Sequence, residues 1–429
     1  MAQYLQLLHR TPDFTRLWGA QVVSLLGDWF NTIVLSALVV QYSPPESRGL
    51  AVGGLLIARF VPPMLLSPVA GVLVDRFDRR WLLIWSNVLR AGVVLMFLFV
   101  IDNPDLMWAI YALTVIQFTL SSVFEPGQAA LIPNLVNKAD LVTANALVSI
   151  TWSVMLALGA IIGGVVATLL GAHIALVIDA ATFVVAGFLI WQIKGYTPKR
   201  QQPRTTTTQI DQPQTGFRDG LRYLRRNPDA ATAVLVKFGF SLGNVDALMT
   251  ILATRLFVLG TDGQLSLGIM YSAFGIGALI GPLLFNRFVN DNLQRLRHLI
   301  TVGFVFVAVG WLLLGFAGTL VLVCFAILIR AFGGSVNWTY SNVIIQKSTD
   351  DAYMGRVFSF DVMGFYFATV VSTLVHGALI DAVGEANTQL VALGTVIPAL
   401  IVLVIWVMLV RWLGRHQQPS VQPAPASGD

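Results

Sequence analysis

Gly71-Val72-Leu73-Val74-Asp75-Arg76-Phe77-Asp78-Arg79-Arg80 gathers its charges into a few residues, and it separates two apolar runs, 51–74 and 82–101. Each run is long enough to cross the hydrocarbon core of a bilayer as a helix, so the segment reads as a polar turn between two membrane spans. The same alternation recurs along all 429 residues. Hydrophobic residues make up 56% of the chain and charged residues 11%, with a mean hydropathy of +0.74. So few charges cannot cover a soluble globule of this size. The apolar runs are continuous and lack a period of two, which excludes a transmembrane barrel and predicts an all-α polytopic protein.

Runs bounded by charges, proline and glycine give twelve transmembrane helices, at 17–41, 51–74, 82–101, 107–131, 141–170, 173–194, 230–257, 264–286, 298–317, 319–345, 356–381 and 388–411. Of the 27 Lys and Arg residues, 21 fall on the side shared by the two termini, only Arg48 falls in the opposite loops, and the rest lie inside spans. That asymmetry predicts a multi-pass protein of a bacterial-type cytoplasmic membrane with both termini cytoplasmic. The net charge of +5 then reports topology, and no nucleic-acid partner is expected. The polar N-terminus leading into a long apolar run does not read as a removable secretory signal. The single Cys324 offers no intramolecular disulfide, and no cofactor or metal site is expected.

The spans divide six and six. Residues 1–194 form the expected N-terminal bundle, 195–228 a cytoplasmic linker, 229–413 the C-terminal bundle, and 414–429 a disordered tail rich in Pro, Gln and Ser. Late in the linker, Phe217, Leu221 and Leu224 share one helical face among arginines, as in a helix lying on a membrane surface. Weak echoes link the halves: Gly164 and Gly171 answer Gly377 and Gly384, and Asp75-Arg76 answers Asn286-Arg287. They favour two similar halves in parallel sequence order.

Asp75 sits at the expected C-terminus of a helix, where the macrodipole disfavours an anion, so a neighbouring helix or the adjacent arginines must hold it. A charge cluster of this kind can be made in one conformation and broken in another, and Gly71, Asp75, Arg76, Arg79 and Arg80 are the gating candidates. A static anchor for the loop is the alternative. The pattern Gly-x-Leu-x-Asp-Arg-x-x-Arg-Arg resembles the signature loop of the major facilitator superfamily. Within it, Phe124-Glu125-Pro126-Gly127-Gln128 through Val136, then Ala144-Asn145-Ala146-Leu147, is similar to the macrolide-efflux and enterobactin-exporter branch. Ser24, Gly27 and Asp28, Arg59 and Pro62, Asp179-Ala180 and Gly355-Arg356-Val357 extend the likeness. The resemblance implies a major facilitator fold of two rocking six-helix bundles, with spans 1, 4, 7 and 10 lining a central cavity, and export of drugs in exchange for protons. One departure bears on that activity: antiporter relatives carry Gly-Pro-x-x-Gly-Gly in span 5, where Gly159-Ala160-Ile161-Ile162-Gly163-Gly164 lacks the proline.

An ionisable group at the centre of a membrane helix costs on the order of 2.5–3.5 kcal/mol, so each needs a reason. Asp28, Glu125 and Asp246 fall in the spans that the resemblance assigns to the cavity and are the proton-coupling candidates. A carboxylate there takes a proton when the site is dry and releases it when water enters. The alternative for each is a structural ion pair with Arg59, Arg90, Lys237, Arg255 or Arg330. Asp179 and Asp361, on other spans, read as structural, and His376 as a packed, hydrogen-bonded histidine. Trp29, Gln117, Phe118, Asn244, Arg330, Asn337, Trp338 and Tyr340 are the substrate-cavity candidates, a lining suited to a small amphiphilic molecule. Arg330 alone would favour an anion.

Gly239-Phe240-Ser241-Leu242-Gly243 matches the nucleophile pattern of hydrolases but lies inside span 7, without the strand-turn-helix that exposes such a serine. The reading is therefore a monomeric secondary exporter of small amphiphilic compounds, not an enzyme, with protons and membrane lipids as its other partners. A siderophore or lipid exporter is the rival within transport, and a membrane-embedded hydrolase acting through Ser241 is the rival from another class.

Overall fold

The computed structural model of the protein describes residues 2–137, 140–194, 217–285 and 292–416. Among these the secondary structure is helical, in the order α1 (Ala2–Arg10), α2 (Pro12–Tyr42), α3 (Arg48–Arg76), α4 (Arg79–Phe97), α5 (Met107–Ser121), α6 (Phe124–Leu135), α7 (Leu141–Trp191) and α8 (Phe217–Arg226). Then follow α9 (Pro228–Ser241), α10 (Asp246–Ile251), α11 (Gln264–Phe285), α12 (Leu293–Gly315), α13 (Leu320–Ser348), α14 (Asp351–Val383) and α15 (Thr388–His416).

Among the described residues, eleven stretches are long and apolar enough to cross a bilayer. The longest, in α7, carries two spans, because Gly171 at φ 82° and ψ 168° turns the chain within it. That gives the twelve expected. Spans 4 and 7 are each built from two helices, α5 with α6 and α9 with α10, the second pair parted by Leu242 to Val245. Such breaks within a membrane are tolerated where other groups take up the freed backbone. Ser372 does so in span 7: its hydroxyl donates to the Leu242 carbonyl and accepts from the Asn244 amide, each at 2.9 Å.

The bundle is apolar outside as well as in. Phe99, Leu169, Phe316 and Val321 stand exposed on its surface, as residues that face lipid do. Spans 1 and 7 are the most enclosed, while α15 is largely peripheral. Three clusters of buried residues fill the interior. One joins the halves at the end remote from the termini, here the far end, around Phe30, Leu252 and Met270. Another lies within the second half around Phe304 and Trp406, and the third within the first half around Phe14 and Leu131.

The glycine echoes between the halves have a conformational basis. Gly384 takes φ 81°, nearly that of Gly171, so each half turns at its last hairpin in the left-handed region that glycine enters without a Cβ clash. The earlier members of the echo mark close approaches between halves. A Cβ at Gly164 would fall 2.7 Å from the Gln264 carbonyl oxygen, and one at Gly377 would fall 2.6 Å from that of Gly49. Asn286-Arg287, the partner of Asp75-Arg76, lies outside the described residues, as do most of the linker and residues 417–429 of the tail.

Helix α8 rests on the second half. A Cβ at Gly220 would lie 2.7 Å from the Phe360 ring, and Tyr223 stacks on Tyr353 with centroids 4.3 Å apart. Leu224 is buried there, whereas Leu221 stays exposed; the side chain of Phe217 is outside the described set.

Candidate functional site

Span 7 breaks at Gly243, and the break organises the polar groups between the halves. Arg330 of span 10, buried, donates to the Gly243 carbonyl and lies over the Trp311 ring at 5.0 Å. Asn244 donates to Thr373 Oγ1 at 3.1 Å and accepts the Asp246 amide at 3.0 Å, starting α10. Asp246 thus sits in the first turn of α10. Tyr271 faces it from span 8, as do two guanidinium groups, Arg330 from its own half and Arg59 from the other. Arg59 lies over Phe118 of span 4 at 5.0 Å. His376 packs as expected, between Ser372 at 3.1 Å and Thr395 at 2.8 Å.

Toward the termini the halves face each other through aromatic rings. Phe60 of span 2 stands 6.1 Å from Tyr366 of span 11; Tyr366 adjoins Phe365 at 5.2 Å; Phe365 meets Trp338 edge-on at 5.0 Å; Phe240 completes the group at 6.5 Å from Trp338. Trp338 is 38% exposed. Glu125 is also exposed, and it lies close enough to Tyr366 to act on it electrostatically, so a carboxylate of the first half stands near one ring of the second. Below the Trp338 ring, at 4.0 Å, lies Lys237, ion-paired with the buried Asp361 and hydrogen-bonded to Asn342 at 2.7 Å.

Other candidates turn away from this space. Trp29 lies in a groove of span 5, where a Cβ at Gly159 would strike its ring at 2.6 Å, and its indole contacts Tyr271 with centroids 5.0 Å apart. Asn337 lies against Gly303 of span 9, inside the second half. Tyr340 belongs to that half's core. Gln117 is buried with neither amide atom hydrogen-bonded. Asp28 is ion-paired with Arg90 at 2.6 Å.

Of the charged turn, Arg79 donates to the Ala130 carbonyl at 2.8 Å and Arg80 to the Ile190 carbonyl at 3.3 Å and to that of Trp191. These three bonds stay within the first half, on carbonyls toward the ends of spans 4 and 6, where a cation complements the helix dipole. Asp78 caps α4 by accepting from the Arg80 and Trp81 amides. Arg76 is exposed. The side chains of Gly71 and Asp75 lie outside those described.

A polar cluster that sequence reasoning did not pick out joins the halves at the far end. Arg48 makes two bonds to the Glu385 carboxylate, at 2.9 and 3.0 Å. Asp381 accepts the amides of Gly49 at 2.7 Å and Leu50 at 2.9 Å, so a side chain of span 11 caps the N-terminus of span 2. Arg255 of span 7 donates to the Val40 carbonyl of span 1 at 3.0 Å. These residues lie over 200 positions apart in the chain, and each alone resembles an ordinary loop charge.

Twelve spans in two halves that meet over aromatic rings and opposed charges are the construction of a solute transporter. The sequence profile of the Major Facilitator Superfamily matches residues 17–360 and 248–428, and the chain belongs to that family. It is 26% identical to YfiS, an uncharacterised transporter of the family from Bacillus subtilis, over 90% of this chain and 91% of that one. It is 25% identical to BacE of Bacillus subtilis, a proposed bacilysin exporter, over 81% of this chain and 84% of that one. Among solved structures, the nucleoside transporter NupG superimposes with a TM-score of 0.70 at 16% identity, covering 95% of this chain and 99% of its own. A bacterial homologue of the iron transporter ferroportin, in an inward-facing state, gives 0.69 at 14% identity, covering 93% and 98%. At such identities the likeness is one of fold.

Proposed function

We propose that the protein exports small amphiphilic compounds of the drug or macrolide type across the cytoplasmic membrane by alternating access, in exchange for protons. The observation that carries this reading is the surface shared by the halves: five aromatic rings, Phe60, Phe240, Trp338, Phe365 and Tyr366, run in contact across it, and the exposed Glu125 lies near Tyr366. Ring faces attract organic cations and also supply apolar area, so the surface suits a molecule with both characters. Arg330, the residue that would favour an anionic siderophore, is committed to the Gly243 carbonyl and the Trp311 ring. Ser241 is buried and its hydroxyl has no hydrogen-bond partner, so no base stands by to activate it as a hydrolase nucleophile.

The residues of the branch resemblance and the relatedness to BacE support export as the direction. The charge asymmetry of the loops supports cytoplasmic termini, which makes the far end the external end. The test uses proteoliposomes with an imposed pH gradient, loaded in turn with ethidium, a macrolide and an anionic iron chelate. Gradient-driven movement of the first two, with release of protons on the opposite side, is the expected result. Movement of the chelate alone, or of none of the three, removes the proposal.

A further inference from the structure

Asp28 and Asp179 lie on spans 1 and 6, and Arg90 of span 3 is bonded to the first and near enough to the second to act on its charge. The Arg90 guanidinium, 2% exposed, donates through Nη2 to Asp28 Oδ1 at 2.6 Å and covers the Phe183 ring at 4.0 Å. Its Nε has no partner. Asp179 is fully buried, and neither of its carboxylate oxygens reaches a hydrogen-bond donor. Asn31, from span 1, is the polar side chain beside it and the one amide placed to act on its charge, although Nδ2 falls short of a well-formed hydrogen bond. Thr182, on the same helix, spends its hydroxyl on the Asp179 carbonyl. The packing leaves no room for water beside Gly27, where a Cβ would fall 2.5 Å from Asp179 Oδ1 and collide with Thr182 Oγ1.

Two carboxyl groups therefore share one cation. Asp28 holds the guanidinium; an ionised Asp179 would be a second buried anion with only the poorly placed Asn31 amide to offset it, which proteins avoid by neutralising the group. We propose that Asp28, Asp179 and Arg90 form a proton-binding site inside the first half, in which the two acids hold one proton between them and Asp179 carries it in this conformation. The site is neutral when loaded: one carboxylate, one guanidinium, one carboxylic acid. Loss of the proton leaves both acids ionised around Arg90 with one net negative charge, a state that requires hydration. Asp28, with 24% of its side chain exposed, is the member through which water reaches the pair and carries the proton away. The inference deepens the exchange reading above and moves the buried proton to a residue on a span outside the presumed cavity set.

The site is testable without a known substrate. Infrared spectra of the purified full-length protein at neutral pH report the carbonyl stretch of a protonated carboxylic acid, and the difference between wild type and Asp179→Asn isolates this one. The expected result is a band lost in Asp179→Asn and lost also in Asp28→Asn, because Arg90 then becomes the counter-ion of Asp179 and the remaining acid ionises. A single monodisperse peak in size-exclusion chromatography verifies that each variant is folded, and the two variants check one another. A band unchanged by Asp179→Asn overturns the assignment, and a band lost in Asp179→Asn but kept in Asp28→Asn overturns the sharing. Proton movement coupled to ethidium in proteoliposomes is read separately. A wild type that shows the band but couples no protons upholds the site and removes only the exchange reading.

Discussion

Replacing Asp381 with alanine should weaken the far-end closure without harming either half. The carboxylate accepts two amides at the start of span 2, at 2.7 and 2.9 Å, and both belong to the opposite half. Loss of an N-cap costs about 0.5–2 kcal/mol, and charged acceptors stand at the upper end of that range. Water that enters as the halves part recovers some of the loss, so a shift of about 2 kcal/mol toward the opened arrangement is the upper expectation, or roughly thirty-fold in population. Asp381→Asn keeps one acceptor and should fall between. The measurement is a spin-label distance between cysteines placed at the exposed far-end positions Asp105 and Leu259, after Cys324 is changed to serine. A longer-distance population that grows in the order wild type, asparagine, alanine is expected. Identical distance distributions in all three would refute the argument that this cap holds the halves together.

Lys237→Met alone should lower thermal stability sharply, by about 3–5 kcal/mol, because it strands Asp361 as a buried unpaired anion, whereas Lys237→Met with Asp361→Leu should recover most of the loss in a detergent melting assay. Trp338→Ala should weaken ethidium binding by about tenfold in a fluorescence titration, from loss of one stacking face at roughly 0.5–2 kcal/mol. Gly171→Ala and Gly377→Ala separate two glycine roles. The first meets open space and should cost about 1–3 kcal/mol, all of it backbone strain; the second meets the Gly49 carbonyl and should open the far end in the same spin-label assay.

The sequence carried the span count and the matching hairpin glycines because both are written in local patterns. Apolar length gave the spans, and Gly171 and Gly384 repeat one backbone angle at equivalent hairpins. The site was less legible. Phe60, Phe365 and Tyr366 lie on spans 2 and 11, which an expectation built on spans 1, 4, 7 and 10 passes over, and their value comes only from the meeting of Phe60 with Tyr366 across the halves and from Glu125 near Tyr366. Asp179 read as a structural acid, since nothing local reveals that its oxygens lack donors or that Arg90 is already held by Asp28. Asn337 and Tyr340 stand on span 10 yet turn into their own half, a rotation that a continuous apolar helix does not betray in its composition. The seal of Arg48, Asp381 and Glu385 had no sequence signal at all beyond the isolation of Arg48 among acidic and neutral loops.

Span 5 presents small residues on two sides: Gly159 and Gly163 receive Trp29 and Phe30 of span 1, while Ala157, Ala160 and Gly164 touch the backbone of span 8 at Gly275 and Gly268. The first contact buries a large ring and is durable. The second brings main chain against main chain with almost no side-chain area between, so separating it uncovers little oily surface and calls for few rotamer changes. That seam is therefore held by main-chain proximity and not by interlocked side chains, and the hydrogen bonds at its rim supply the directional part of the join.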